Sequence, residues 1–290
     1  MNESVIAVIF DFDGTLGPDT ILSLLNANKI SPEVFWKAVD SRVTSGWDPP
    51  QAYMQLLLEY AQKKKIDVSK KALRRIGAGL QLYPGLPKAF SELRGYIKKH
   101  PELHSARVHL EFYIISGGIE EIILGSSLAE EMDGIFGCNF AYDAGGVQPV
   151  SVKSTISFTE KTRYLYGINK GISVTDLRTN PYKINDAVAQ ERYRIPFPQM
   201  IYIGDGPSDI PCLSAILQKG GIGIGVSSSQ KSFKKGYELA RGKRITVGPY
   251  TANFKKSSDM RKVLEETITR IGLEIDINNK KNVVTAPQMG

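Results

Sequence analysis

Two kinds of apolar pattern alternate along the chain. Val5-Ile6-Ala7-Val8-Ile9-Phe10 is a run with no polar position inside it, the pattern of a strand buried on both faces, as in a parallel sheet. It stops at the turn-forming cluster Asp11-Phe12-Asp13-Gly14-Thr15. Leu110 to Ile115 repeats the pattern and stops at Ser116-Gly117-Gly118, Met200-Ile201-Tyr202-Ile203 stops at Gly204-Asp205-Gly206, and Ile222 to Val226 gives a fourth strand. Between these runs the apolar positions fall three and four apart, which predicts helices. Leu86, Ala89, Phe90, Leu93 and Ile97 mark one, and Ile119, Ile122, Ile123 and Leu128 a second. Tyr164, Leu165 and Ile168 mark a third. Met260, Val263, Leu264, Ile268 and Ile271 mark a late one, with Gly272 as its expected C-terminal stop.

Strands alternating with helices imply right-handed crossovers and a doubly wound parallel α/β sheet. One segment breaks the alternation. Ile21, Leu24 and Leu25, then Val34, Phe35, Ala38 and Val39, then Tyr53, Leu56, Leu57, Tyr60 and Ala61 keep helical spacing, with Pro32 and Pro49-Pro50 in the gaps. The division predicted is a core from 1–18 and 81–276, an inserted helical domain over 19–80, and a polar, flexible tail over 277–290.

The chain has 290 residues, 42% of them hydrophobic and 23% charged. That composition excludes a disordered or fibrous protein and leaves room for a large core. No apolar run reaches the ~20 residues of a membrane span, and Val5 to Phe10 is too short for a signal peptide. Two cysteines, Cys138 and Cys212, are too few for a disulfide framework, so a cytoplasmic location is expected. The formal charge of +7 would suit an anionic partner. There is no RNP-type aromatic stripe, Cys/His finger or helix-turn-helix signal, so neither nucleic acid nor a membrane is the expected partner.

Three of the predicted strands end in polar clusters, and in open α/β sheets ligands bind beyond the carboxyl ends of the strands. Asp11-Phe12-Asp13-Gly14-Thr15 resembles the first motif of the haloacid dehalogenase-like hydrolase superfamily. Ser116-Gly117-Gly118 resembles its second motif, and Gly204-Asp205-Gly206-Pro207-Ser208-Asp209 its fourth. The order and the strand-terminal placement match, and the helical insertion falls where the C1-type cap of that superfamily lies. The resemblance covers residues 1–226 and is nearest to phosphoserine phosphatase-like members, although Leu16-Gly17-Pro18-Asp19 departs from their usual run. It implies a Rossmann-like core with a helical cap and a Mg²⁺-dependent phosphatase acting on a small phosphorylated metabolite. Phosphotransfer to another acceptor, as in mutase relatives, and a non-enzymatic scaffold are the alternatives.

The resemblance also implies roles. Asp11 would be the nucleophile that forms an aspartyl-phosphate. Asp13, two residues on along an extended chain and so beside it, would be the general acid and then the general base. The Asp11 carboxylate, the Asp13 backbone carbonyl and Asp205 would hold Mg²⁺, with Asp209 a further ligand or the orienter of a bound water. Ser116 and the N–H groups of Gly117 and Gly118, at the start of the next helix, would bind the phosphoryl oxygens. The family's phosphate-binding lysine falls best on Lys161, which opens a helix, with Lys170 and Lys183 as rivals. Lys161 requires an insertion around 171–196, which Pro181 and Pro196-Phe197-Pro198 make plausible. Arg42, Trp47 and Tyr53 are the insertion residues singled out for contact with the leaving group.

Overall fold

The computed structural model describes residues 4–285. Among these residues one seven-stranded sheet holds β1 (Ser4–Phe10), β2 (Val108–Ile119), β3 (Gly134–Tyr142), β4 (Pro149–Ser154), β5 (Met200–Gly204), β6 (Ile222–Ser227) and β7 (Val247–Thr251), in the order β4-β3-β2-β1-β5-β6-β7. Every neighbouring pair is parallel except β3 with β4. The insertion consists of α1 (Thr20–Ala27), α2 (Pro32–Thr44), α3 (Pro49–Gln62) and α4 (Lys70–Ala78). The remaining helices are α5 (Lys88–Lys99), α6 (Pro101–Ser105), α7 (Glu120–Gly125), α8 (Glu160–Lys170), α9 (Val174–Thr179), α10 (Ile210–Gln218), α11 (Gln230–Arg241) and α12 (Asp259–Thr285).

The unbroken apolar run of β1 has a simple cause. Val5, Ala7 and Ile9 belong to the hydrophobic cluster on one face of the sheet, and Ile6, Val8 and Phe10 to the cluster on the other. The first cluster continues without a break into Leu24, Leu25, Phe35, Leu57 and Leu73 of the insertion, so the inserted helices share a core with the sheet. The second takes in Phe90 and Leu93 of α5 and Leu264 and Ile268 of α12. In the insertion, α4 packs closely on α7. A side chain at Gly77 would collide with the Ile122 carbonyl, and one at Gly125 with the Arg74 backbone. Arg74 Nε also meets Glu121 Oε2 at 2.7 Å.

Several details differ from the sequence expectation. β2 does not end at Ser116-Gly117-Gly118 but runs on to Ile119, so Ile119 is a strand residue and the helix after it has only six residues. The backbone stays extended because the Ile119 N–H donates to Thr20 Oγ1 (3.1 Å) rather than opening a helix, and the register with β3 shifts between Ile115 and Ile119. Gly272 is not a stop, because α12 passes through it to Thr285. A side chain there would run into Leu103, so glycine serves the close crossing of α6 and α12. Residues 277–285, expected in the tail, continue this helix, and 286–290 lie outside the described residues. Three strands, β3, β4 and β7, come in addition to the four expected. No described helix is long and apolar enough to cross a membrane.

Candidate active site

From β1 the chain proceeds to β2 and β3 on one side, and later from β5 to β6 and β7 on the other. The strand order therefore switches between β1 and β5, and the crevice beyond their carboxyl ends is where such sheets bind ligands. Asp11 follows β1, and its N–H donates to the Ile203 carbonyl of β5 (2.9 Å). The Phe12 carbonyl then accepts the N–H groups of Thr15 (3.1 Å) and Leu16 (2.9 Å), which winds residues 12–16 into one tight turn. Gly14 sits in that turn at φ +79, and a side chain there would begin 2.5 Å from Asp205 Oδ2. Only glycine combines that conformation with such an approach, and it brings the turn after β1 directly against the acid after β5.

Asp11, Asp13, Ser116, Gly117, Lys161 and Asp205 line one wall of a cavity of about 420 Å³, and Ile21, Trp36, Pro49, Pro50 and Tyr53 of the insertion line the opposite wall. Asp209 lies just beneath, fully buried. Lys161, in the first turn of α8 and 1% exposed, joins the acids: its Nζ is 3.0 Å from Asp11 Oδ1 and 2.7 Å from Asp209 Oδ1. The Tyr202 hydroxyl also donates to Asp209 Oδ1 (2.8 Å), and the Gly206 N–H to Asp209 Oδ2 (3.3 Å). Of the three candidate lysines, only Lys161 stands here. Lys170 donates to the carbonyls of Ile184 (2.6 Å) and Asp186 (2.8 Å), and Lys183 pairs with Asp176 (2.8 Å). The 44-residue gap from Lys161 to Asp205 is filled by α9 and short 3-10 turns over 181–199. This stretch is pinned to the body of the protein by Asn169 Nδ2, which donates to the Ile195 carbonyl (2.8 Å), and by the Arg194–Glu111 ion pair.

Asp13 Oδ1 accepts the Thr20 N–H (2.9 Å) and Oδ2 the Thr20 hydroxyl (3.3 Å). Sequence reasoning missed Thr20. Its signal was its place directly after Asp19, whose side chain caps α1 by accepting the Leu22 N–H (2.9 Å). It also passed over Tyr202, which looks like one more apolar member of β5. Gly118 does not line the cavity. Its N–H donates to Ser116 Oγ (3.0 Å), and a side chain there would run into Thr20 Oγ1 and Asp13 Oδ2, so its glycine serves backbone approach rather than ligand contact. Among the insertion residues singled out, Tyr53 reaches the cavity and Trp36 joins it. Arg42 does not: it pairs with Glu59 (2.6 Å) and lies over the Trp47 ring, 5.4 Å from its centroid.

Gathering acids in a buried crevice shifts their protonation. Burial pushes Asp11 up to about 6, against the pull of Lys161 beside it. Burial and the Asp11 and Asp209 charges push Asp205 up to about 7. Asp13 is held well above the usual carboxylate range by burial and by Asp19 and Asp11. Burial alone would lower Lys161, but Asp11 and Asp209 reverse this and keep the ammonium above its usual range. Asp11, Asp205 and Asp209 each bring one carboxylate oxygen within 4.8 Å of the others. Three hard oxygen donors gathered in one buried crevice fit a divalent cation. The Asp13 carboxylate is outside this group, its oxygens being engaged by Thr20.

No family model matches the chain. A curated protein of Borreliella burgdorferi (strain ATCC 35210 / DSM 4680 / CIP 102532 / B31), described as uncharacterized, is 28% identical over 236 residues, covering 74% of this chain and 79% of that one. Among solved structures, a phospho-aspartyl intermediate analogue of phosphoserine phosphatase is 14% identical with a TM-score of 0.53, covering 91% of this chain and 99% of that one. An apo phosphoserine phosphatase is 14% identical with a TM-score of 0.52, covering 91% and 98%. A probable phosphoserine phosphatase from Vibrio cholerae is 13% identical with a TM-score of 0.52, covering 95% and 67%. At these identities the likeness is one of fold: the chain shares the α/β, Rossmann-like architecture of these proteins, the fold expected from the haloacid dehalogenase-like resemblance.

Proposed function

We propose that the protein is a Mg²⁺-dependent phosphatase of the haloacid dehalogenase-like superfamily that hydrolyses a small phosphate monoester through an aspartyl-phosphate on Asp11. The observation that carries this reading is the Lys161 ammonium, buried between Asp11 and Asp209 on the wall of a cavity that Asp13, Ser116 and Asp205 also line. A structural ion pair needs no cavity, and a plain acidic turn needs no buried lysine.

The roles follow from the contacts. Among the described residues, Asp11 Oδ1 accepts both the Phe12 N–H (2.8 Å) and the Lys161 ammonium (3.0 Å), which leaves Oδ2 to bond to phosphorus. Asp13, which burial and the Asp19 and Asp11 charges hold well above the usual carboxylate range, gives a proton to the leaving alcohol oxygen as the P–O bond breaks. Now ionised, Asp13 takes a proton from the water that attacks the phosphoenzyme, and phosphate leaves. Thr20 holds both oxygens of Asp13 in place throughout. A cation held by Asp11, Asp205 and Asp209 would supply positive charge against the phosphoryl oxygens. The need is large, since two like charges ~4 Å apart repel by about 4 kcal/mol at an effective dielectric of 20. Lys161 supplies one such charge from the protein itself, and the Ser116 hydroxyl a neutral donor.

The far wall bounds the substrate. Ile21, Trp36, Pro49, Pro50 and Tyr53 present apolar faces, and the cations lining the cavity are Lys161 at the phosphate end and the exposed Lys235 on the Asp205 side. Arg42 is tied up elsewhere, so among the described residues an alcohol bearing a carboxylate meets no cation on that wall and faces Asp19 instead. The test is a Mg²⁺-supplemented panel of phosphate monoesters with and without a carboxylate on the alcohol, run on the wild type and on Asp11→Asn. Phosphate release from esters lacking the carboxylate is expected, with Asp11→Asn slower by roughly a thousandfold or more. A wild type inactive on the whole panel, or an active Asp11→Asn, overturns the reading.

A further inference from the structure

The hydroxyl of Tyr53 does not face the leaving-group end of the cavity. Tyr53 belongs to α3 of the insertion, yet its hydroxyl donates to the Gly117 carbonyl in β2. The same oxygen accepts from Cys138 Sγ of β3 (3.1 Å), and the Ile156 N–H donates to that sulfur (3.3 Å). At the other end of the same peptide the Gly118 N–H donates to Ser116 Oγ (3.0 Å). The Tyr53 ring is held edge-on by Trp36, with centroids 6.0 Å apart and planes at 76°. A side chain at Gly117 would begin 3.3 Å from the Tyr53 hydroxyl, close enough that the tyrosine would have to shift by a few tenths of an ångström.

We propose that Tyr53 is a positioning residue: from the inserted helices its hydroxyl fixes the Gly117–Gly118 peptide, and through that peptide it aims the Ser116 hydroxyl at the bound phosphoryl group. This rests on the phosphate-binding role given to Ser116 above. A peptide is planar, so its C=O and N–H turn together. A serine oxygen has two lone pairs and one proton. With one lone pair taken by the Gly118 N–H, and with no other hydrogen bond to Ser116 Oγ among the described residues, the proton is directed away from Gly118, where the cavity lies. Cys138 alone is a weak holder, because a thiol is a poor donor. The insertion thereby does more than cover the crevice: without α3 in place, the serine that meets the phosphate is not oriented.

The test is Tyr53→Phe, which keeps the ring against Trp36 and removes only the hydroxyl. On the best ester of the panel, kcat/KM should fall about fivefold to tenfold, the size of one lost neutral hydrogen bond. In a Ser116→Ala background the same change should cost less than about twofold, because the two residues act in one chain. The Gly118 amide, followed by hydrogen exchange, should lose protection in Tyr53→Phe and keep it in Cys138→Ala. Equal losses in the two backgrounds would place the hydroxyl on the leaving group or in packing and overturn the proposal. So would unchanged Gly118 exchange in Tyr53→Phe, or the loss of protection in Cys138→Ala instead. The exchange measurement needs no turnover, so it decides whether the Tyr53 hydroxyl fixes the Gly117–Gly118 peptide even where a silent ester panel has removed the phosphatase reading.

Discussion

Removing the Lys161 ammonium tests the electrostatic core of the site. Lys161→Ala leaves Asp11, 4% exposed, and Asp209, fully buried, without their shared cation. Breaking a buried pair from one side costs about 3–5 kcal/mol. Each kilocalorie lowers Tm by roughly 2–4 °C in a protein of this size. The effect on turnover is larger. Asp11 already stands at about 6 with the ammonium 3.0 Å away. A unit charge at that distance is worth about 5–6 kcal/mol at a dielectric of 20. Without it, burial and the Asp209 charge push Asp11 further up, which leaves less of the ionised nucleophile. Loss of a charge-assisted contact to the phosphoryl group adds about tenfold. The expected fall in kcat/KM is therefore well over tenfold, and the pH–rate profile of the variant should begin to rise at a higher pH than that of the wild type. Lys183→Ala is the control. Its Asp176 pair is about 40% exposed on both sides and worth at most ~1 kcal/mol. Initial rates of phosphate release across pH read all of this. A Lys161→Ala protein retaining more than about a tenth of wild-type kcat/KM, or a larger loss in Lys183→Ala, would refute the assignment.

Two further predictions concern the acids. Chelation with EDTA should stop phosphate release and added Mg²⁺ should restore it; turnover indifferent to chelation would remove the cation from the scheme. Stability should depend on pH with a definite sign. Asp11 and Asp205 have folded pKa values raised to about 6 and about 7, so the folded chain holds these protons more tightly than the unfolded chain does. Ionising them costs the folded state, and the cost grows as pH rises from their unfolded values near 4 to their folded ones. Lys161 stays charged across that window and adds no slope. The metal-free protein should melt at a higher temperature in mildly acidic buffer than in mildly alkaline buffer, and Mg²⁺ should raise Tm more in the alkaline one. A metal-free Tm that climbs with pH through that window would contradict the burial of these carboxyls.

The strands that position the site were legible because burial on both faces leaves an unbroken apolar run: β1, β2, β5 and β6 all read that way. β3 was not, since Gly134 and Gly137 interrupt its apolar residues, and Gly137 is there because a side chain would strike Glu120. β4, partly exposed and antiparallel at the sheet edge, and β7, with Gly248 and Pro249 in its five residues, carry too little pattern to announce a strand. The acids of the site were legible as turn clusters, because a strand end is marked by an abrupt change from apolar to polar. Lys161 was legible only as one of three lysines. Its neighbours in space, Asp11 and Asp209, lie 150 and 48 residues away, and no local pattern records such a meeting. Thr20 and Tyr202 share that difficulty, since Tyr202 acts through one oxygen and Thr20 through its hydroxyl and backbone N–H, while both are buried like their apolar neighbours.

The arrangement of charge explains why the fold needs its insertion close to the strand ends. Asp11, Asp13, Asp205 and Asp209 are brought together at a net cost in burial, which the raised values of the first three record. In open water that cost would vanish, and with it the difference between Asp11, which is held by an ammonium and a backbone N–H, and Asp13, which is held by Thr20. On the proposed reading, this difference is what would separate Asp11 as nucleophile from Asp13 as proton donor two residues along. Trp36, Pro49, Pro50 and Tyr53 line the cavity beside the acids, and apolar surface there lowers the local dielectric in which the two carboxyls differ. Thr20, the first residue of the insertion's first helix, fixes Asp13 directly. The inserted helices that line the cavity are thus tied by their first residue to Asp13 itself.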